Sequence, residues 1–287
     1  MLIRAGHELK FAASAPLSML LLLHVHPSRQ RLIQRQSFRI LPEMPADEFT
    51  DSFGNRCTRI AAPAGEITLT ADYLVTDTGE LDEVNVNARQ HEVDALPVET
   101  LSYLFASRYC EVDCLSDIAW NLFGQTPLGW QRVQAVCDWV HANVEFGYQH
   151  ARRTKTALDV YNERKGVCRD FTHLAITFCR AMNIPARYCT GYLGDICVPA
   201  SPTPMDFSAW FEVFLEGRWY TCDARHNRPR VGRILMARGR DAVDVALTTS
   251  FGEAELTGFK VWTDEVVDDL ASAGTASAPQ TVPGRGP

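Results

Sequence analysis

Hydrophobic and polar positions follow two different rhythms along this chain. Over residues 1–90 the apolar residues come in short runs: Leu2–Phe11, Met19–His26, Arg35–Leu41, Cys57–Ala62 and Ile67–Val75. Pro, Gly, Asp and Asn separate them, which is the pattern of strands bounded by turns. Asp82–Pro97 is polar and acidic and reads as a linker. From residue 98 the rhythm becomes helical. Val98–Tyr109 and Leu115–Phe123 read as helices, and Pro127–Val144 is the clearest, with Trp130, Val133, Val136, Cys137, Val140 and Val144 on one stripe. Thr126-Pro127 suits its first turn. Ala157–Glu163 is a short helix, and the stretch 165–182 a longer one, with Phe171, Leu174, Ala175, Phe178 and Met182 at helical spacing. Ile184–Leu193 is strand-like. Phe207–Leu215 and Arg218–Arg225 form a hairpin about Glu216-Gly217. Further strands are expected within 230–251 near the core, with a last one at Lys260–Val267. The expectation is an α+β protein: a β-sandwich-like domain over 1–90, a core of helices packed on an antiparallel sheet over 98–268, and an Ala/Ser/Gly/Pro-rich disordered tail over 269–287.

Composition narrows the function classes. The chain has 287 residues and a net charge of −7, so bulk charge does not draw it to nucleic acid or an anionic membrane. Its nine cysteines are odd in number, and Cys137, Cys179 and Cys222 sit in apolar runs, which points to reduced thiols in the cytoplasm rather than a disulfide framework. Ser18–Val25 is apolar but lacks a small-residue cleavage site, and reads as a buried strand rather than a signal or a span. His24 and His26 have no third ligand nearby, and Cys110 and Cys114 have no partner pair; no metal site is expected.

The chemistry gathers at Cys168. It follows Gly166-Val167 and opens a helix, one turn ahead of Phe171 on the same face. Free backbone N–H groups and the helix dipole there favour a thiolate; the competing reading is a small apolar residue in a core helix. In the hairpin, a two-residue loop places Leu215 opposite Arg218. Trp210 then faces Asp223, and Ser208 faces Arg225. Ser208 and Asp223 are diagonal neighbours on one face, where a carboxylate could orient a base at position 208.

Three stretches resemble the transglutaminase-like superfamily of papain-type cysteine enzymes, in its bacterial branch: Arg164–Met182 with Gly-Val-Cys-Arg-Asp-Phe, Ile184–Leu193, and Asp206–Asn227 ending in Cys-Asp-Ala-Arg-His-Asn. The N-terminal β region also resembles the domain that often precedes this core. The resemblance implies a nucleophile helix packed on an antiparallel sheet, thiol chemistry at a peptide or protein amide, and no cofactor. It puts Cys168 at the nucleophile position and Asp223 at the position that orients the base. The family's histidine falls in a motif of the type Phe-His-Ala-Trp, which here is Phe207-Ser208-Ala209-Trp210.

Serine cannot take a proton from a thiol near neutral pH. Three histidines are candidate substitutes. His173 is about 140° around the helix from Cys168 and points elsewhere. His226 faces the opposite side of a regular strand from Asp223 unless a bulge re-aims it. His150 lies in a polar loop that can approach the thiol. Arg225, if it faces Ser208, can pair with Asp223. Two functional readings follow: an acyl-thioester enzyme working through Cys168, or a degenerate relative that binds a peptide or protein partner in the old cleft.

Overall fold

The computed structural model describes residues 1–266, so the expected tail over 269–287 lies outside the described residues. Six strands come first: β1 (Leu2–Ala13), β2 (Leu17–Leu21), β3 (Ile33–Leu41), β4 (Ala46–Thr50), β5 (Arg56–Ala62) and β6 (Gly65–Thr76). The middle of the chain holds α1 (Val112–Phe123), α2 (Trp130–Asn143), β7 (Glu145–Phe146), α3 (Ala157–Glu163), β8 (Lys165–Gly166) and α4 (Cys168–Ala181). Then follow β9 (Ala186–Tyr192), β10 (Ser208–Leu215), β11 (Arg218–Cys222), β12 (Ile234–Gly239), β13 (Thr248–Phe251) and β14 (Ala254–Glu265). Among these helices none is long and apolar enough to cross a membrane.

The N-terminal strands form two four-stranded antiparallel sheets, ordered β14-β1-β6-β3 and β13-β2-β5-β4. Their apolar faces share one core that includes Ile3, Leu9, Met19, Leu21, Leu69 and Tyr73. Along β6 the alternation is strict: Ile67, Leu69, Ala71, Tyr73 and Val75 are buried and the residues between them are not fully so. Strands expected near the C-terminal core complete this sandwich instead. β14 runs antiparallel to β1 from Ile3–Glu265 to Ala13–Ala254, and β13 pairs with β2. β1 is therefore an inner strand, hydrogen-bonded on both edges, and its buried apolar residues need that cover.

The second core is a sheet ordered β11-β10-β9-β12 with the helices against it. The hairpin register agrees with the expected one: Phe211 faces Cys222 and Leu215 faces Arg218. The expected helix over 98–109 is cut to a 3-10 segment, Val98–Tyr103. Val98 and Phe105 remain exposed. Ser107 and Cys110 exchange backbone hydrogen bonds of 3.0 and 3.2 Å, closing a turn that helical backbone cannot enter.

α4 is the centre of this core. Every residue from Asp170 to Ala181 is buried. The Asp170 Oδ2 accepts the N–H of Val167 at 3.0 Å, closing the free N-terminal turn. That carboxylate needs room: a Cβ on Gly166 would sit 2.6 Å from the Asp170 Cβ and 2.8 Å from its Oδ2. At the other end Arg180 is 2 % exposed and donates to the carbonyls of Ala186, Phe105 and Arg240. It ties the helix to β9, to the segment after the 3-10 turn, and to the end of β12.

The acidic linker is built into the structure. The Trp130 N–H donates to the Ala88 carbonyl at 3.0 Å. Gly129, at φ +82°, lets that carbonyl approach; a Cβ there would lie 2.2 Å from the Ala88 oxygen. Removing the Arg180 guanidinium should strand several buried carbonyls at about 1–3 kcal/mol each. Arg180→Met is therefore expected to lower the urea unfolding free energy by about 2–4 kcal/mol with an unchanged m-value.

Candidate active site

Cys168 is the first residue of α4 and is half-buried. It opens onto a cleft of about 910 Å³. The core side of the cleft carries Tyr148, Asp206, Ser208 and Ala209, and the sandwich side carries Phe11, Leu256 and Phe259. The position is the expected one, but the charge state is not. Burial pushes the thiol up to about 11, and the nearby Asp206 carboxylate adds to it; the Arg225 guanidinium and the backbone N–H groups of Arg169 and Ala209 oppose the rise. At neutral pH Cys168 is a thiol. The helix end supplies donors, but desolvation of a thiolate in this cleft outweighs them.

At the end of β11 the chain turns on Asp223. Its Oδ1 accepts the N–H groups of Arg225 and His226 at 3.1 and 3.0 Å. Its Oδ2 accepts from His226 Nδ1 at 2.8 Å and from Arg233 at 2.9 Å. The expectation that His226 faces away from Asp223 assumed a continuing strand. The strand stops at Cys222, and an Asx turn curls His226 back onto the carboxylate. The Asp223–Arg225 pair that would follow if Arg225 faced Ser208 is likewise replaced. Arg233 takes that place and is itself held by Asp82 of the linker at 2.8 Å, while Arg225 lies 3.8 Å over the Phe146 ring. Although burial raises it, the Asp223 carboxyl stays far below the usual carboxylate range, because Arg233 and His226 hold its charge.

Ser208 is 5 % exposed, and its Oγ has no hydrogen-bond partner among the described residues. It stands between the cleft and a second pocket of about 420 Å³, which His226, Arg225 and Arg230 also line. Tyr148, Asp206, Phe207 and Ser208 line both; Cys168 lines only the first and His226 only the second. His150 lines neither. Its Nε2 lies 3.6 Å from Glu145 and 3.3 Å from the Gln149 amide. His173 is fully buried, accepts the Ala242 N–H at 3.1 Å and stacks on Tyr109 at 5.0 Å. Its titration lies well below the ordinary histidine range because burial disfavours the cation.

Two residues that the sequence reading did not single out join the site. Tyr148 and Asp206 are both shifted upward, chiefly by burial. The sequence did hold a signal for Asp206: it lies two positions before Ser208, with the same parity along an extended strand.

The profile described as Transglutaminase-like superfamily matches residues 119–224. The crystal structure of a "putative cysteine protease" from Cytophaga hutchinsonii aligns with a TM-score of 0.79 and 30% identity, covering 94% of this chain and 92% of that one. This chain belongs to the transglutaminase-like superfamily. The N-terminal sandwich is shared as well, since the alignment extends over nearly the whole of both chains. An "uncharacterized protein", ML0607 of Mycobacterium leprae, is 28% identical over 116 residues, which is 40% of this chain and 42% of that relative's length. The periplasmic domain of TgpA from Pseudomonas aeruginosa aligns at 13% identity and a TM-score of 0.37, covering 75% of this chain and 91% of that one, too remote to carry a finer comparison.

The charge balance around this transglutaminase-like thiol yields a direct test. Iodoacetamide alkylation of Cys168, with Cys168→Ala as the blank, should accelerate with pH and reach its half-maximum near 11. Arg225→Ala removes a group that favours the thiolate and should move that midpoint upward. A midpoint at or below about 8.5, the free-cysteine value, would contradict the burial argument.

Proposed function

We propose that the chain is a thiol-dependent hydrolase of peptide or protein amides, acting through an acyl-thioester on Cys168. The observation that carries this reading is the placement of Cys168 in an open cleft between the two cores. The backbone N–H groups of Arg169 and Ala209 favour the negative form of its sulfur. The same donors can stabilise the negative oxygen that forms when sulfur attacks a carbonyl. The similarity to the "putative cysteine protease" supports the same class.

The shape of the cleft favours an extended chain over a small amide. Its sandwich wall includes Thr248, Thr249 and Ser250 of β13, which is the outermost strand of its sheet. An edge strand has free N–H and C=O groups and pairs readily with an added strand. Phe11, Leu256 and Phe259 on the same wall suit apolar side chains of such a peptide.

A second reading has its own support. With Ser208 at the family's base position and the thiol protonated at neutral pH, the cleft can serve as a peptide-binding site without turnover. The two readings separate on intact-mass and turnover measurements. If the enzyme reading holds, an activated acyl donor adds one acyl group to the wild-type chain, and Cys168→Ala loses that adduct together with at least 10³-fold of amide turnover. A wild-type chain with neither adduct nor turnover, which gains both in Ser208→His, would establish the degenerate reading instead.

A further inference from the structure

Histidine substitutes for Ser208 fit the geometry poorly. His226 is oriented through its Nδ1 by Asp223 as a basic imidazole would be, but its ring lines the neighbouring pocket rather than the cleft of Cys168. His150 lines neither cavity, and His173 is closed into the core. Two carboxylates share the cleft with the thiol, Asp206 and Glu255; Glu255 is exposed on the sandwich wall, whereas Asp206 lies on the core side and is the one whose charge acts on the Cys168 sulfur.

We propose that Asp206 is the general base and acid of this site, taking from the segment just ahead of β10 the role left open at Ser208. The inference rests on the enzymatic reading above. The Asp206 Oδ1 accepts the N–H of Phe207 at 2.7 Å, which fixes the carboxylate plane. Its Oδ2 has no hydrogen-bond partner among the described residues, and the side chain borders both the cleft and the second pocket. Cys168, Arg169, Tyr148, Arg153, Tyr188 and Glu255 are the other titratable and charged groups bordering the thiol's cleft, and Arg225, His226, Arg230, Asp195, Cys197, Asp264 and Glu265 join Tyr148 around the second pocket.

The electrostatics are those of a neutral thiol beside a carboxylate, not of a preformed ion pair. Burial raises the Asp206 carboxyl, which makes its ionised form a stronger proton acceptor. Its charge in turn helps keep the proton on sulfur until attack. In the first step the Cys168 Sγ bonds to the amide carbon, the carbonyl π pair moves to oxygen, and the S–H proton passes to Asp206 Oδ2. When the tetrahedral species collapses the C–N bond breaks, and Asp206 gives that proton to the departing amine. The acyl-thioester is then attacked by water, whose proton passes to Asp206. The C–S bond breaks, the acid leaves, and the proton returns to sulfur.

This assignment predicts opposite effects on two rates, which a merely structural residue would not produce. Asp206→Asn removes a negative charge beside the sulfur, so the thiol titrates lower and Cys168 alkylation at pH 8 should rise several-fold. Amide turnover in the same variant should fall at least 100-fold, within the range a positioned general base contributes. Asp206→Ala provides the second measurement: added formate should restore part of its turnover in a concentration-dependent way and leave Cys168→Ala inactive. Turnover of Asp206→Asn within twofold of wild type would overturn the proposal, as would a parallel fall of both rates with no formate rescue. A wild-type chain without Cys168-dependent turnover would instead remove the enzymatic reading, and this assignment with it.

Discussion

The burial of α4 is the constraint from which the site follows. A helix surrounded on all sides from Asp170 to Ala181 can present a reactive group only at an end. Its C-terminal end is closed by Arg180, whose guanidinium donates to backbone carbonyls of three other segments. The N-terminal end is the outlet, and it carries Cys168. Gly166 and Asp170 make that end rigid, since the carboxylate that caps it occupies the space a side chain on residue 166 would need. The same packing that fixes the sulfur also dries it, which is why position and activation do not come together here.

Around that sulfur the contacts differ from those the resemblance implies. Asp223 holds His226 and Arg233 rather than a side chain at position 208. A buried carboxylate must be matched by charge and donors, and here two backbone N–H groups, an imidazole and a guanidinium do so. Arg233 in turn is matched by Asp82, so the linker contributes to the electrostatics of the site. Ser208 leaves a buried hydroxyl without a partner between two cavities. Asp206, two positions before it, is a carboxylate that borders the thiol's cleft.

Much of the fold was legible because its elements are long and strongly patterned. The stripe of α2, the periodicity of α4, the bounds of α3 and the register of the hairpin agree closely with the reading of the chain. The misreadings have local causes. The helix expected over 98–109 gives way to a turn held by Ser107 and Cys110, and periodicity does not record such a turn. β13 and β14 join the N-terminal sheets because β1 and β2 each have a free edge to fill, a demand made by residues more than 200 positions away. At the site, Asp-x-x-His after a strand is a turn signal that overrides strand alternation, and so His226 and Arg225 point away from the directions a continuing strand would give them.

What the sequence by itself determined was local: the helix that opens at Cys168, the register of the hairpin about Glu216-Gly217, and a serine where the resemblance implies histidine. These follow from periodicity, turn chemistry and short-range register. The tertiary structure decided the rest. It set the protonation of Cys168, the partners of Asp223 and the candidacy of Asp206, because each depends on burial and on charges brought together from distant segments. Desolvation and Coulomb interactions act across space, and no spacing along the chain encodes them directly.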